Sequence, residues 1–279
     1  MLGMPIRIAY QGEPGAYSEE AALALFPEAE VLGQVTFQGV FDALSGGRTD
    51  LAVLPVENSL AGLVLEVNDM LWETPGLRLR AELVLPIRHC LLGSPGPVTA
   101  AISHPQALAQ CRRYLDRNGI LAMPFHDTAG AARHLAENPS PGLAAIAGAA
   151  AARRYGLEVL AAGIQDDYGN STRFLVVERG LPGRPGASPP GSKGALAFVA
   201  AHRPGSLVEA LQCLSTRDVN LTRLDSRPVA GRPFEYRFYI DFEIDDPVAA
   251  EAALVALEGS AAEVRLFGCY PGVRTAPAA

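Results

Sequence analysis

The sequence predicts an α/β protein in two parts, a bilobal α/β domain followed by a ferredoxin-like βαββαβ domain. Three observations predict it. Short apolar strands alternate with amphipathic helices through the first 180 of the 279 residues, the signature of sheets covered by helices. The stretch Arg179–Gly194 (RGLPGRPGASPPGSKG) has nine Gly or Pro among sixteen residues, a composition that neither buries a face nor sustains a ladder. Behind it, six short elements follow one another in residues 194–275. The expected organisation is a first domain over 1–180, a linker over 181–193 and a second domain over 194–275.

In the first domain, Ile6–Tyr10, Glu30–Val35, Leu51–Leu54, Ala100–Ser103 and Ala144–Ala147 read as strands. Ser18–Phe26, Phe37–Leu44, Val64–Trp72, Gln106–Arg117 and Thr128–Glu137 read as helices, so parallel sheets with helices on both faces are expected. Leu77–Leu92 is one long extended run, and Thr172–Glu178 is a last strand before the linker. Two lobes with a cleft between them fit this order, the chain crossing out near residue 80 and returning near 170. In the second domain, Gly194–Ala201, Val219–Ser226, Glu235–Glu243 and Val264–Tyr270 read as strands. Ser206–Thr216 and a helix begun by Asp246-Pro247 separate them. Along Glu235–Glu243, Tyr236, Phe238, Ile240 and Phe242 alternate with Arg237, Tyr239, Asp241 and Glu243, placing the charged set on the other face.

Composition narrows the function. A net charge of -7 argues against a nucleic-acid partner, which needs clustered positive charge. The cations are arginines except for Lys193, which lies in the linker, so Schiff-base chemistry is not expected. Cys90, Cys111, Cys213 and Cys269 form no C-x-x-C pair, and the five histidines show no metal-binding spacing, so no metal site and no cofactor are expected. No apolar run reaches the roughly 18 residues of a membrane span, and Met1–Pro5 leads into a strand rather than a signal pattern. A cytoplasmic protein with no membrane partner is the expectation.

Five segments carry polar residues that could do chemistry, the first three where strands end and helices begin, the place where open α/β sheets bind ligands. Gln11–Ser18 (QGEPGAYS) offers glycines and a serine at a helix start, but it matches neither a dinucleotide fingerprint nor a P-loop, so a tight turn with a cap is the favoured reading. Leu54–Gly62 (LPVENSLAG) presents a carboxylate, an amide and a hydroxyl in succession at Glu57, Asn58 and Ser59; a capped turn is the alternative. Ser103–Leu108 (SHPQAL) places Pro105 at a helix start, with His104 either an acid–base group or a structural cap. Asp166–Val177 (DDYGNSTRFLVV) puts Thr172 and Arg173 on opposite faces if both lie within the strand. Arg173 suits a substrate carboxylate, or equally Asp166 or Asp167. Arg203–Val208 and Asn220–Pro228 supply a glycine-led helix start and a polar strand in the second domain.

Together and in this order, QGEPGAYS, PVENSLAG, SHPQALAQC and NSTRFLVV resemble the prephenate dehydratase family of the single-activity kind. Behind the linker, PGSLVEAL, VNLTRLDSRP, EYRFYIDFE and FGCYPG resemble the ACT regulatory domain of the same enzymes. The family pattern Gly-Ala-Leu-Val reads Gly205-Ser206-Leu207-Val208 here, and Glu-Ser-Arg-Pro reads Asp225-Ser226-Arg227-Pro228. No helical mutase segment precedes the first motif, so the fused two-activity form is not expected.

The resemblance implies a first domain with a periplasmic-binding-protein-like fold that converts prephenate to phenylpyruvate in phenylalanine synthesis, without a cofactor. It implies Thr172, Glu57 and Asn58 as catalytic residues, Thr172 assisting departure of the ring hydroxyl. Ser18, Ser59, Gln106, Asn170, Ser171, Arg173 and Phe174 are implied as substrate-binding, with Arg173 and the Ser18 helix start as carboxylate clamps. Gly205, Ser206, Leu207, Val208, Asn220, Leu221, Asp225, Ser226, Arg227 and Pro228 are implied to bind L-phenylalanine as feedback regulator, in a homodimer or homotetramer joined through ACT domains. Two rival readings are an arogenate dehydratase, whose substrate has an amino group in place of the keto oxygen, and a non-catalytic bilobal ligand-binding regulator.

Overall fold

The computed structural model describes residues 5–229, 231–272 and 274–275. The chain divides into two compact units. The first holds the described residues up to Val67, Leu83–Phe174 and the short strand at 274–275; the second holds Asn68–Glu82 and the described residues from Leu175 to 272. The division therefore falls before residue 180 and exchanges a segment between the parts. Two strands run through it, β5 (Leu77–Pro86) and β11 (Ser171–Arg179). Periodicity fixes that such strands exist but not which unit packs on each end.

The first lobe of unit 1 is built from β1 (Arg7–Gln11), α1 (Tyr17–Leu25), β2 (Glu30–Gln34), α2 (Phe37–Ser45), β3 (Leu51–Asn58) and β4 (Gly62–Leu63). α3 (Leu65–Glu73) follows and leads into β5. β1 pairs in parallel with both β2 and β3, and Ile8, Ala9, Val53 and Leu54 are buried in their centre. With the strand β16 (Arg274–Thr275), the sheet order is β16-β5-β11-β3-β1-β2, β4 pairing back onto β3. Thr36 caps α2 by accepting from Gly39 N–H.

The second lobe contains β6 (Cys90–Gly93), β7 (Ala100–Ser103), α4 (Pro105–Gln110), α5 (Arg112–Arg117), β8 (Leu121–Pro124), α6 (Thr128–Glu137), β9 (Leu143–Ala147), α7 (Ala149–Tyr155) and β10 (Glu158–Ala162). Its sheet order is β10-β6-β9-β7-β8. One face packs on α6 and α7 through Ala131, Leu135 and Ala151, the other on α4 and α5 through Leu108 and Leu115. The expectation of purely parallel sheets fails here, because β6 pairs antiparallel with both β9 and β10. The single run Leu77–Leu92 is two strands in two sheets, so the chain crosses between lobes at residues 87–89 rather than near 80. The expected helix 106–117 is broken at Cys111, whose φ of -113° and ψ of 15° are not helical.

Unit 2 carries β12 (Ser192–Val199), α8 (Ser206–Ser215), β13 (Leu221–Pro228), β14 (Tyr236–Ile244), α9 (Pro247–Ser260) and β15 (Glu263–Pro271). All pairs in its sheet β13-β14-β12-β15 are antiparallel. Phe238, Ile240 and Phe242 meet α8 and α9 on one face. At Gly194 a Cβ would lie 2.2 Å from the Phe242 ring, so β12 can pass that ring only as glycine. The opposite, charged face of β14 is not solvated: Arg237 is 8% and Asp241 2% exposed. Asn68–Glu82 covers it. Asp69 accepts from Arg227 Nη2 (2.6 Å) and Tyr239 OH (3.2 Å), Asn68 Oδ1 from Arg223 Nη2 (3.0 Å), and the Arg237 guanidinium lies 4.1 Å over the Trp72 ring. Arg265 donates to the carbonyls of Trp72 and Thr74.

The linker is also more structured than its composition predicts. Pro185–Ala187 forms a 3₁₀ turn, and β12 starts at Ser192, inside the expected linker. Arg184 pairs with Glu251 (2.6 Å) and Glu258 (2.9 Å) of α9, and Glu251 accepts from Gly186 N–H. Lys193 lies in β12 and binds Glu82 at 3.0 Å, its side chain 13% exposed and that of Glu82 fully buried. The Arg184 pairs are partly solvated, so Arg184→Ala should cost only about 0.5–1 kcal/mol in urea unfolding. The same variant should be cut faster by subtilisin between residues 181 and 190, because the segment loses its clamp on α9. No helix among the described residues is long and apolar enough to cross a membrane.

Candidate active site

A cleft of about 280 Å³ opens in unit 1 where β1 and β3 end and where β11, α1, α4 and α6 begin. Gln11, Ser18, Asn58, His89, His104, Gln106, Gln110, Asp127, Thr128 and Thr172 supply its polar wall, and Pro55, Val64, Ile87, Ala107 and Phe174 its apolar one. No lysine or arginine lines it.

Thr172 and Asn58 meet because β3 runs on to Asn58 and β11 already begins at Ser171. Asn58 Nδ2 donates to Thr172 Oγ1 (3.0 Å), to Asn170 Oδ1 (2.8 Å) and to Ser171 O (3.2 Å). Asn58 Oδ1 accepts from Leu60 N–H and Ala61 N–H, which fixes the turn after β3. With a lone pair of Thr172 Oγ1 engaged by an N–H donor, its own proton remains available to an acceptor in the cleft that Thr172 lines.

A hydrogen-bonded chain continues from there. Asn170, fully buried, donates to Gln110 Oε1 (3.1 Å), which also faces His89 Nε2 at 2.9 Å. Gln110 Oε1 is an acceptor, so this network assigns the proton to Nε2 and leaves Nδ1 to accept from Tyr17 OH at 2.9 Å. Tyr17 OH also donates to Arg88 O at the same distance, so its one proton is shared between the two acceptors. Burial pushes the His89 imidazole below the usual histidine range, against a smaller upward push from Gln110, and holds the Tyr17 hydroxyl well above the phenol range. Folded His89 is therefore neutral where an unfolded histidine takes up a proton. Stability should fall as pH drops through about 6.5 and level off below the folded value. In His89→Asn that part of the acid loss should disappear from urea unfolding measured between pH 7.5 and 5.

The residues implied by sequence divide into two groups. Thr172, Asn58, Ser18, Gln106 and Phe174 line the cleft. Glu57, Ser59, Asn170, Ser171 and Arg173 do not. Glu57 and Arg173 lie one residue along β3 and β11 from Asn58 and Thr172, so strand alternation turns them to the other face, 3.9 Å from one another. Arg173 is thus not brought into the cleft as a carboxylate clamp. Ser59 Oγ instead ties the turn to β11, accepting from Ser171 N–H and donating to Gly169 O. Ser18 is not a helix cap, since Ala16 holds that position. Its hydroxyl and that of Thr128 line the cleft and bond to no described residue. His104 caps α4, its Nδ1 accepting from Gln106 N–H at 3.2 Å.

The QGEPGAYS loop does less ligand work than its glycines suggest. Gly15 has a φ of +89°, and a Cβ there would lie 2.8 Å from Ala151 Cα of α7, so glycine permits close packing of the two lobes. Glu13 pairs with Arg133 at 3.1 Å, and Tyr155 OH donates to Pro14 O. Tyr17, His89 and Gln110 join the site without being singled out by the sequence. Gln110 carries one signal, four residues beyond Gln106 and hence on the same helical face; the others carry none. Among the described residues, no group of three His, Cys, Asp or Glu side chains is placed to hold a metal ion.

In unit 2, a cavity of about 300 Å³ lies at the start of α8, lined by His202, Arg203, Ser206, Leu207, Phe234 and Tyr236 among others. Of the implied phenylalanine ligands only Ser206 and Leu207 line it, beside Gly205, which precedes α8 with a φ of 84°. Val208 points to solvent. Asn220, Leu221, Asp225, Ser226, Arg227 and Pro228 stand elsewhere: Asn220 binds Glu243, Asp225 binds Arg223 and Arg227 binds Asp69.

The family model described as prephenate dehydratase matches residues 8–181. A chloroplastic arogenate dehydratase/prephenate dehydratase of Arabidopsis thaliana is 40% identical over 95% of this chain and 72% of its own length. Among solved structures, the prephenate dehydratase of Arthrobacter aurescens in complex with L-Phe is 30% identical, with a TM-score of 0.85 over 95% of this chain and 90% of that one. GqqA, described as a novel type of quorum quenching acylase, is 36% identical with a TM-score of 0.87, over 95% of this chain and 98% of that one. By the family match and by relatives along almost its whole length, the chain belongs to the prephenate dehydratase family and is a lyase of the dehydratase kind.

Proposed function

We propose that the cleft converts prephenate to phenylpyruvate, with Thr172 as the group that assists departure of the ring hydroxyl. The observation that carries this reading is the Asn58 N–H on Thr172 Oγ1, which leaves the threonine proton for a ligand. In the reaction the bond from the ring to its carboxylate breaks, its electron pair enters the ring, and the ring hydroxyl leaves with a proton as water. Hydroxide is a poor leaving group, so a donor aimed at it acts where charge develops. Asn58 stabilises negative charge on Thr172 Oγ1 as that proton is shared.

Prephenate carries two carboxylates, and the cleft treats them differently. The side-chain carboxylate is held at the start of α1 by Ser18 and free N–H groups, with Gln106 and Thr128 as further donors. The ring carboxylate lies against Phe174, Val64 and Ile87, where no cation holds it and loss of its charge as CO₂ is favoured. Glu57 and Arg173 act behind this surface as an ion pair supporting β3 and β11. Aromatisation drives the reaction without a cofactor.

Relatives named for both arogenate and prephenate support arogenate as the alternative substrate. Turnover of each by the purified chain at neutral pH decides between them: phenylpyruvate forms from prephenate, phenylalanine from arogenate. A higher kcat/KM for arogenate would overturn the prephenate reading, and binding without turnover of either would favour the ligand-binding regulator. Amide hydrolysis of the acylase kind needs an activated nucleophile. Among the hydroxyls lining this cleft only that of Tyr17 touches a histidine nitrogen, so dehydration is the better-supported chemistry.

The βαββαβ unit fits an ACT domain, and its cavity at Ser206 and Leu207 suits L-phenylalanine as feedback regulator, bound between the domains of a homodimer. Saturating phenylalanine should lower turnover; unchanged turnover and an unchanged sedimentation coefficient would remove this part.

A further inference from the structure

A second cavity of unit 1, about 390 Å³, lies on the other side of Tyr17 from the catalytic cleft. Its walls come from α1, from the segment of residues 86–90 where the chain leaves the first lobe, from the start of α7 and from the region of β10. Two ionisable side chains of opposite sign stand in it. Arg88 donates to Ile87 O and lies 5.8 Å from the centre of the Tyr168 ring, and among the described residues it pairs with no carboxylate. Glu20 makes no hydrogen bond and no ion pair with any described residue, and burial raises its carboxyl above the ordinary range against a smaller downward pull from Arg153. The rest of the wall includes the Tyr17 and Tyr168 rings, Pro86 and Val159.

A structural role accounts poorly for this arrangement. An arginine and a glutamate in one partly enclosed pocket gain by pairing with each other or by facing bulk water. Here both are half-buried and neither bonds to the other. One ligand satisfies both when it carries an anion and a cation on adjacent atoms, and the aromatic walls ask for an apolar body attached to them.

We propose that this cavity is a second small-molecule site that takes a free aromatic α-amino acid, its carboxylate on Arg88 and its ammonium on Glu20. The site goes beyond the dehydratase reading and does not depend on which acid the cleft converts. It is also separate from the cavity at α8, which belongs to the other unit.

Equilibrium dialysis of the full chain at pH 8 with labelled L-phenylalanine and L-tyrosine tests it. Wild type should show a binding class that Arg88→Met and Glu20→Gln each weaken by about 10- to 100-fold, the range of one charge-assisted contact. Arg88→Lys should retain part of it. Ser206→Trp, which fills the α8 cavity, should leave this class intact. Turnover without added amino acid should stay within about twofold in the Arg88 and Glu20 variants, which also verifies folding. Binding of both amino acids unchanged in Arg88→Met and Glu20→Gln would overturn the proposal, as would wild type with no class sensitive to either residue. Failure of the dehydratase reading would show separately, as absent turnover in wild type.

Discussion

Thr172→Val should lower kcat for the preferred substrate by about 10²- to 10⁴-fold, the range over which a positioned proton donor contributes. Valine keeps the branched shape and removes the hydroxyl, so KM should move much less than kcat. Asn58 retains Asn170 Oδ1 and Ser171 O as acceptors, so no buried donor is stranded and the fold should hold by circular dichroism. Thr172→Ser, which restores an O–H, should recover most of the loss. Asn58→Asp provides the sharper test. The carboxylate still accepts from Leu60 and Ala61 N–H and keeps the turn, but it turns the contact with Thr172 from a donor into an acceptor. The threonine proton should then point back at that carboxylate instead of the substrate, and kcat should fall by a similar factor. Near-wild-type turnover in both Thr172→Val and Asn58→Asp would remove Thr172 from the mechanism.

The largest expected effect on stability lies in unit 2. Lys193→Met takes the ammonium away from Glu82, whose side chain is fully buried. Removing one partner of a buried pair typically costs about 3–5 kcal/mol, because the remaining charge loses a compensating contact. Urea unfolding should show a lower midpoint with an unchanged slope. Adding Glu82→Gln to Lys193→Met should recover part of the loss, since the amide carries no charge. A midpoint unchanged by Lys193→Met would mean that water or another group already solvates Glu82.

The alternation of strand and helix is legible throughout the sequence, and so is the βαββαβ order of unit 2. What escapes reading comes from strand ends. The strand reads as Leu51–Leu54 and PVENS as a ligand segment or a capped turn, Pro55 being unusual inside a strand, yet β3 continues through it to Asn58. That extension decides the site, since consecutive residues of a strand face opposite ways: Asn58 and Thr172 reach the cleft while Glu57 and Arg173 turn from it. The motif names segments that border the cleft, and only the strand register can sort their side chains. Tyr17, His89 and Gln110 come from three segments whose meeting depends on how the two lobes close on each other, information no local pattern holds. The charged face of β14 escapes for a related reason. Alternation puts Arg237, Tyr239 and Asp241 on one face without saying what lies against it, and Asn68–Glu82 supplies Asp69 and Trp72 to cover them.

The seat of Lys193 reaches beyond stability. It is the only lysine in the chain, and it is held against Glu82 with little of its side chain in contact with solvent. Every other strongly basic side chain is a guanidinium, which does not acylate under the conditions that modify amines. Reagents and enzymes that address the ε-amino group therefore find almost nothing on this surface, whether they acetylate, crosslink or attach a tag. Immobilisation through lysine would select molecules in which β12 has opened, so the yield of such a coupling reports on the integrity of unit 2.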